Sequence, residues 1–180
     1  EGLAPIMFDR FIDHSKDLRP AEQKLYLAGD DNQIVLPAEN IYSFMFGEFP
    51  PGCAKAFEGK QGKEYIRFGQ SHIFIDPILI PILGDGDRPL LYKGFDSKCL
   101  CIWLTSGRTK MGSASIKQEA KPRPYLNLPW AVEFYISLLK NPKIDSTKLD
   151  NWFQAGGITI AIGTHRPRFG RFRAILEDIE

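Results

Sequence analysis

Five apolar residues, Trp130, Val132, Phe134, Ile136 and Leu138, alternate strictly with Ala131, Glu133, Tyr135 and Ser137. A period of two puts every second side chain on one face, which a strand can bury and a helix cannot. Residues 130–138 are therefore predicted as a strand, and the remaining chain must supply its partners. Residues 99–104, Cys-Leu-Cys-Ile-Trp-Leu, are a second strand, apolar on both faces. Ile73–Ile75 and Ile78–Ile80 flank Asp76-Pro77 and are predicted as one strand with a bulge or edge position at the proline. Residues 3–8 form the end of a strand. Residues 170–177 form a closing strand, with Phe172, Ala174 and Leu176 on one face and Arg171 and Arg173 on the other.

Helical spacing occurs in two places. Ile41, Phe44, Met45 and, more weakly, Phe49 follow Pro37, which suits a first helical turn; Pro50-Pro51 interrupts this helix, which resumes through 53–57 until the glycines and lysines of 58–63 end it. Leu149, Trp152, Phe153 and Gly156 follow an N-cap at Ser146; Gly156-Gly157 argues for a break into a strand, while Ile160 extends the helical face, which favours continuation to Ile162. Residues 9–31 are predicted as surface loop with a short helix near 20–27. The order strand, helix, strands, helix, strand fits an α+β sandwich in a single domain over residues 1–180.

Several function classes drop out. No apolar run approaches the roughly 20 residues of a membrane helix, and the first residues lack the basic and apolar runs of a signal peptide. Three cysteines, with Cys99 and Cys101 two apart, make neither a disulfide framework nor a zinc quartet, so a reducing, cytoplasmic compartment is expected. P-loop, GxGxxG, GxSxG and HExxH motifs do not occur. Asp9, Asp13, Asp17, Asp30 and Asp31 could hold magnesium, and Asp85 and Asp87 flank Gly86, but both sets read as solvated loop acids. No metal, cofactor or membrane partner is expected.

The net charge of +1 conceals a split. Residues 97–173 hold 13 Lys/Arg against 4 Asp/Glu, a balance of +9, and the remainder carries −8. A segment so charged presents a cationic surface, for which phosphate is the commonest partner. Two stretches concentrate it. Residues 106–125 carry five Lys/Arg, one Glu and two Pro, and are predicted as a flexible basic finger in which Arg108, Lys110, Lys117, Lys121 and Arg123 clamp a strand or a neighbouring copy. Residues 163–173, Gly-Thr-His-Arg-Pro-Arg-Phe-Gly-Arg-Phe-Arg, place four arginines, one histidine and two phenylalanines in 11 residues. Arg166, Arg168, Arg171 and Arg173 are predicted phosphate contacts, and Phe169 is the stacking candidate. Gly163 and Gly170 would let the backbone approach a ligand. His165 is read as a binding residue and as the one candidate general acid or base for RNA cleavage. His14 and His72 stand apart, and His72 is read as structural.

Ile162-Gly163 followed by Phe169-Gly170-Arg171-Phe172 resembles the glycine-rich loop near the C-terminus of the RAMP superfamily, RRM-like RNA-binding proteins that include CRISPR backbone subunits. His165, Arg166 and Pro167 stand where that family's loop carries more glycines. The opening, Gly2-Leu-Ala-Pro-Ile-Met-Phe-Asp-Arg-Phe11, is similar to the start of a group of uncharacterised phage proteins that end in a comparable Gly, Arg-Pro, Phe-Gly-Arg-Phe stretch. The resemblance implies a ferredoxin-like (RRM-like) βαββαβ core with insertions and an antiparallel sheet. It also implies RNA contact, head-to-tail assembly with copies or other subunits, and a bacterial host cytoplasm for a phage-encoded chain. Residues and resemblance together predict a non-enzymatic protein that binds single-stranded RNA or DNA, RNA more readily, without reading sequence. The rivals are a phage assembly protein whose arginine loop grips an acidic partner, and a RAMP-like RNA endonuclease using His165.

Overall fold

The computed structural model describes residues 1–10, 19–111 and 115–179, with backbone alone at 105–111 and 115–120. His14, Asp13 and Asp17 lie outside the described residues. The fold is mixed α/β with antiparallel sheets and four α-helices. In chain order the elements are β1 (Ile6–Met7), β2 (Leu27–Ala28), β3 (Gln33–Pro37), α1 (Ala38–Phe46), α2 (Cys53–Phe57), α3 (Gly62–His72), β4 (Ile73–Asp76) and β5 (Leu79–Leu83). There follow β6 (Leu100–Met111), β7 (Ser115–Leu126), β8 (Ala131–Val132), β9 (Tyr135–Leu138) and α4 (Ser146–Thr159). The strands form three sheets, β1-β7-β6, β2-β3-β5-β8 and β4-β9.

The helices follow their apolar spacing. In α1 the buried residues Ile41, Phe44 and Met45 lie on one face, and Pro37 precedes the helix with an extended backbone. In α4, Asp145 rather than Ser146 is the cap: its carboxylate accepts from the Lys148 N–H at 2.7 Å. The helix ends at Thr159, short of the expected Ile162. Beneath it Phe44, Phe153 and Phe172 pack with centroids 5.1–6.3 Å apart, and Phe134 joins Phe153 at 6.2 Å.

Several expectations are corrected. Helix α3 occupies a stretch read as helix end and β structure. The expected strand across Asp76-Pro77 is two strands in different sheets, because the proline has no N–H to continue a ladder. The alternating run 130–138 also changes partner: Val132 pairs with Ile82, whereas Tyr135–Leu138 pair with β4. Alternation fixes which face is buried, not which neighbour supplies the hydrogen bonds. Residues 99–104 are strand from Leu100, but Ile102 and Leu104 are 45% and 68% exposed, so one face is open. The helix expected near 20–27 is a single 3₁₀ turn at Ala21–Lys24. Of the stretch expected as a basic finger, residues 106–111 and 115–125 are paired strand. They form most of a twelve-pair β6–β7 ladder running from Leu100↔Leu126 to Met111↔Ser115.

The closing strand at 170–177 is reduced to one bridge, Gly2↔Phe172. Its hydrogen bonds are divided: Leu3 and Ala4 donate to the Arg171 carbonyl, Arg173 donates to Glu1, and Phe172 donates to Gly157 of α4. No ladder forms when alternate groups serve different elements. This division binds the C-terminal arginine stretch to the opening residues of the chain.

Candidate nucleic-acid interface

The chain leaves α4 through Ala161, with φ of 65°, and closes residues 162–170 into a loop by the Ile162 N–H to Gly170 carbonyl bond of 3.0 Å. Thr164 then donates to the Met7 carbonyl, and Gly170 to that of Pro5, at 3.0 and 2.7 Å. Gly170 has φ of 73°, and a Cβ there would overlap the Ile162 carbonyl oxygen. At Gly163, φ of 79°, a Cβ would come within 2.7 Å of the Met7 carbonyl oxygen. Both glycines are therefore required for closure against the chain itself.

Phe169 is the clearest correction. It is 6% exposed, its ring meets Trp103 edge-on at 5.4 Å and 89°, and Tyr125 lies at 6.2 Å. Packed so, it anchors the loop to the β6–β7 hairpin and has no face for a base. The available aromatic is Trp103, half-buried on β6 and paired across the ladder with Arg123. Arg168, exposed, lies over it with its guanidinium carbon 4.8 Å from the ring centroid. Sequence reasoning had placed Trp103 in a doubly buried strand. Its period-two position two residues beyond buried Cys101 was the only signal, and nothing in the sequence joined it to Arg168.

The cations divide. Among the described residues, none of Arg166, Arg168, Arg171 and Arg173 pairs with a carboxylate. Arg171 and Arg173 are exposed, on either side of buried Phe172. Arg166 turns inward and donates, at 3.4 Å each, to the Ala161 carbonyl and the Ser43 hydroxyl at the end of α1. Burial lowers its pKa from the ordinary value. Its neighbour Cys53 offers no counter-charge, because burial pushes that thiol up to about 12. Arg123 is instead held in the molecule: its Nε donates to Asp9 at 2.7 Å, and the fully buried Lys24 Nζ lies 4.0 Å from the same carboxylate. Lys121 stands two residues from Arg123 on β7, half-buried. The side chains of Arg108, Lys110 and Lys117 lie outside the described residues.

His165 is exposed at the loop's crest, with φ of 55°. Burial of part of the ring, with Arg123 and Arg168 nearby, lowers its pKa from 6.5, and Asp9 opposes the shift. The structure thus brings Arg168, His165, Arg123 and Trp103 together, whereas Arg166 is turned toward Ser43. His72 Nδ1 sits 3.1 Å from the Phe68 carbonyl and 2.7 Å from the Ser71 hydroxyl, at the end of α3. Among the described residues no three His, Cys, Asp or Glu side chains gather as metal ligands, and no helix is long and apolar enough to cross a membrane.

Two surface depressions, of about 420 and 150 Å³, lie elsewhere, around Leu90 and Cys99. Neither is lined by the arginine stretch, whose outer residues lie on an open face. An enclosed cavity suits a small molecule, whereas a chain of nucleotides is bound along a face. Comparisons with family models, with curated proteins and with solved structures each returned no match.

Proposed function

We propose that this protein binds single-stranded nucleic acid, RNA more readily than DNA, without reading its sequence. One observation carries the reading: Arg168 lies over Trp103 with no carboxylate partner among the described residues, next to His165 and above a hairpin that also bears Arg123 and Lys121. A guanidinium plane lying over an indole offers its outer face to a base and its edge N–H groups to a phosphate. Arg171, exposed just past the loop, is a further phosphate contact. Arg123 acts chiefly through Asp9, fixing the hairpin against the chain's opening residues and setting the height at which Trp103 stands.

The ferredoxin-like arrangement belongs to this proposal as its finer form. The antiparallel pairing of β3 with β5 across the intervening helices is the support for it, while β4 lies in another sheet and the closing strand is one bridge. Assembly along the strand, with copies of this chain or other subunits, is part of the same reading and rests on the resemblance alone. The test is fluorescence anisotropy of a labelled oligouridine at low salt. Binding of oligouridine and oligodeoxythymidine, with duplex DNA weaker by tenfold or more, supports the proposal. Equal displacement of the oligonucleotide by polyglutamate would favour the acidic-partner reading, and shortening of the RNA that His165→Ala stops would favour the nuclease.

A further inference from the structure

Phe49 is 87% exposed, the most open of the large apolar side chains described. It sits in the 47–52 turn after α1, which the Gly52 N–H closes onto the Gly47 carbonyl at 2.7 Å. One face of its ring carries the Lys55 ammonium, 4.3 Å from the centroid. That ammonium is steadied by a 3.2 Å bond to the Glu48 carbonyl. An isolated exposed phenylalanine means little. Here the turn's root supplies a second observation. The Gly47 N–H is bonded to the Ser43 carbonyl, and the Ser43 hydroxyl is the group that holds Arg166, half-buried and without a carboxylate among the described residues. The turn therefore carries an open ring and an ammonium, and a guanidinium without a carboxylate partner among the described residues is bonded to the serine at its root.

We infer that Phe49, Lys55 and Arg166 form a second contact for the same nucleic-acid strand, with a base stacked on the open face of Phe49 and phosphates on the two cations. The inference rests on the reading above. Arg166 and Arg168 are two residues apart, no more than about 7 Å of backbone; Arg168 lies over Trp103, and Arg166 is bonded to Ser43 at the root of the Phe49 turn. A strand crossing the loop between them meets Trp103–Arg168 on one side and Phe49–Lys55 on the other. Arg166, which sequence placed among equivalent phosphate contacts, becomes the joint between them.

The test uses oligouridines of about 4 and about 12 nucleotides with the full chain. Phe49 is exposed, so its variants fold, as thermal melts will check. Phe49→Ala should weaken binding of the longer strand by roughly 5- to 100-fold, the range of one lost base stack. Phe49→Trp should keep the affinity, and the new tryptophan's fluorescence should be quenched on binding. Phe49→Leu should behave as Phe49→Ala. Binding of the longer strand that Phe49→Ala changes by less than twofold overturns the inference while leaving the first contact standing. Restoration by Phe49→Leu also overturns it, since that would mean apolar contact without stacking. Absence of any wild-type binding to single strands overturns both.

Discussion

The two sides of the 163–173 stretch look alike in sequence and differ in the folded chain. Inward-facing Phe169 and Phe172, with Gly163 and Gly170, are consumed in closing the loop onto β1, β6 and α4. Outward-facing Arg168, Arg171 and Arg173 carry charge that no carboxylate among the described residues neutralises, and His165 stands exposed beside them. Glycine and phenylalanine here fix shape, and arginine is displayed by it. Arg123 repeats the lesson on the hairpin, where Asp9 converts an arginine into a structural residue. Composition assigns a motif to a kind of ligand, but the inward or outward turn of each side chain decides which residues can touch it.

Substitutions on the two sides should therefore fail differently. Phe169→Ala removes a buried ring from between Trp103 and Tyr125 and should lower stability by about 3 kcal/mol or more in urea unfolding. Its binding per folded molecule should also fall as the loop loses its seat. Asp9→Asn leaves Arg123 and Lys24 facing a neutral amide, and should cost about 2 kcal/mol, since the carboxylate is 20% exposed and part of its charge is already solvated. Arg168→Ala reverses the pattern. It should leave the melting temperature within a few degrees, and weaken single-strand binding roughly tenfold through lost stacking and charge. A large loss of stability in Arg168→Ala, or none in Phe169→Ala, would erase the distinction.

The smallest effect is that of pH. Burial, Arg123 and Arg168 hold His165 below 6.5, so its ring is neutral at physiological pH. A bound phosphate favours the imidazolium, so binding takes up a proton and affinity should rise by up to about threefold as pH falls from about 8 to about 6. Folding responds with the opposite sign. The unfolded histidine protonates first, so this residue lowers stability as pH drops through 6.5 toward its lowered value. His165→Gln should remove both trends, and titrations of binding and of unfolding would show it.

The parts of this molecule that were legible in the sequence are those whose signal is local. Ile41, Phe44 and Met45 announce α1, and Leu149, Trp152 and Phe153 announce α4, because a helix meets its core through residues three and four apart. Helix α3 was missed because Tyr65 and Gly69 supply its buried face beyond a glycine- and lysine-rich start, a weak periodicity to detect. The arginine stretch was legible as cationic, but its division was not. Asp9 is 114 residues from Arg123, and Trp103 lies on a strand far from Arg168 in sequence. Pairings at such separations depend on the β6–β7 register and on the 163–170 loop folding back onto the chain's first residues, and no local pattern encodes either. The inward turn of Phe169 has the same origin.

The central claim is that unpaired guanidinium on this face meets a sugar–phosphate chain. Its most direct test is the salt dependence of single-strand affinity, measured side by side for the wild-type chain and for Arg168→Ala. The phosphates neutralised by Arg168 and Arg171 predict a slope of log affinity against log salt of about −1.4, and Arg168→Ala should make it shallower by about 0.7. A slope near zero, or one that Arg168→Ala leaves unchanged, would contradict the claim.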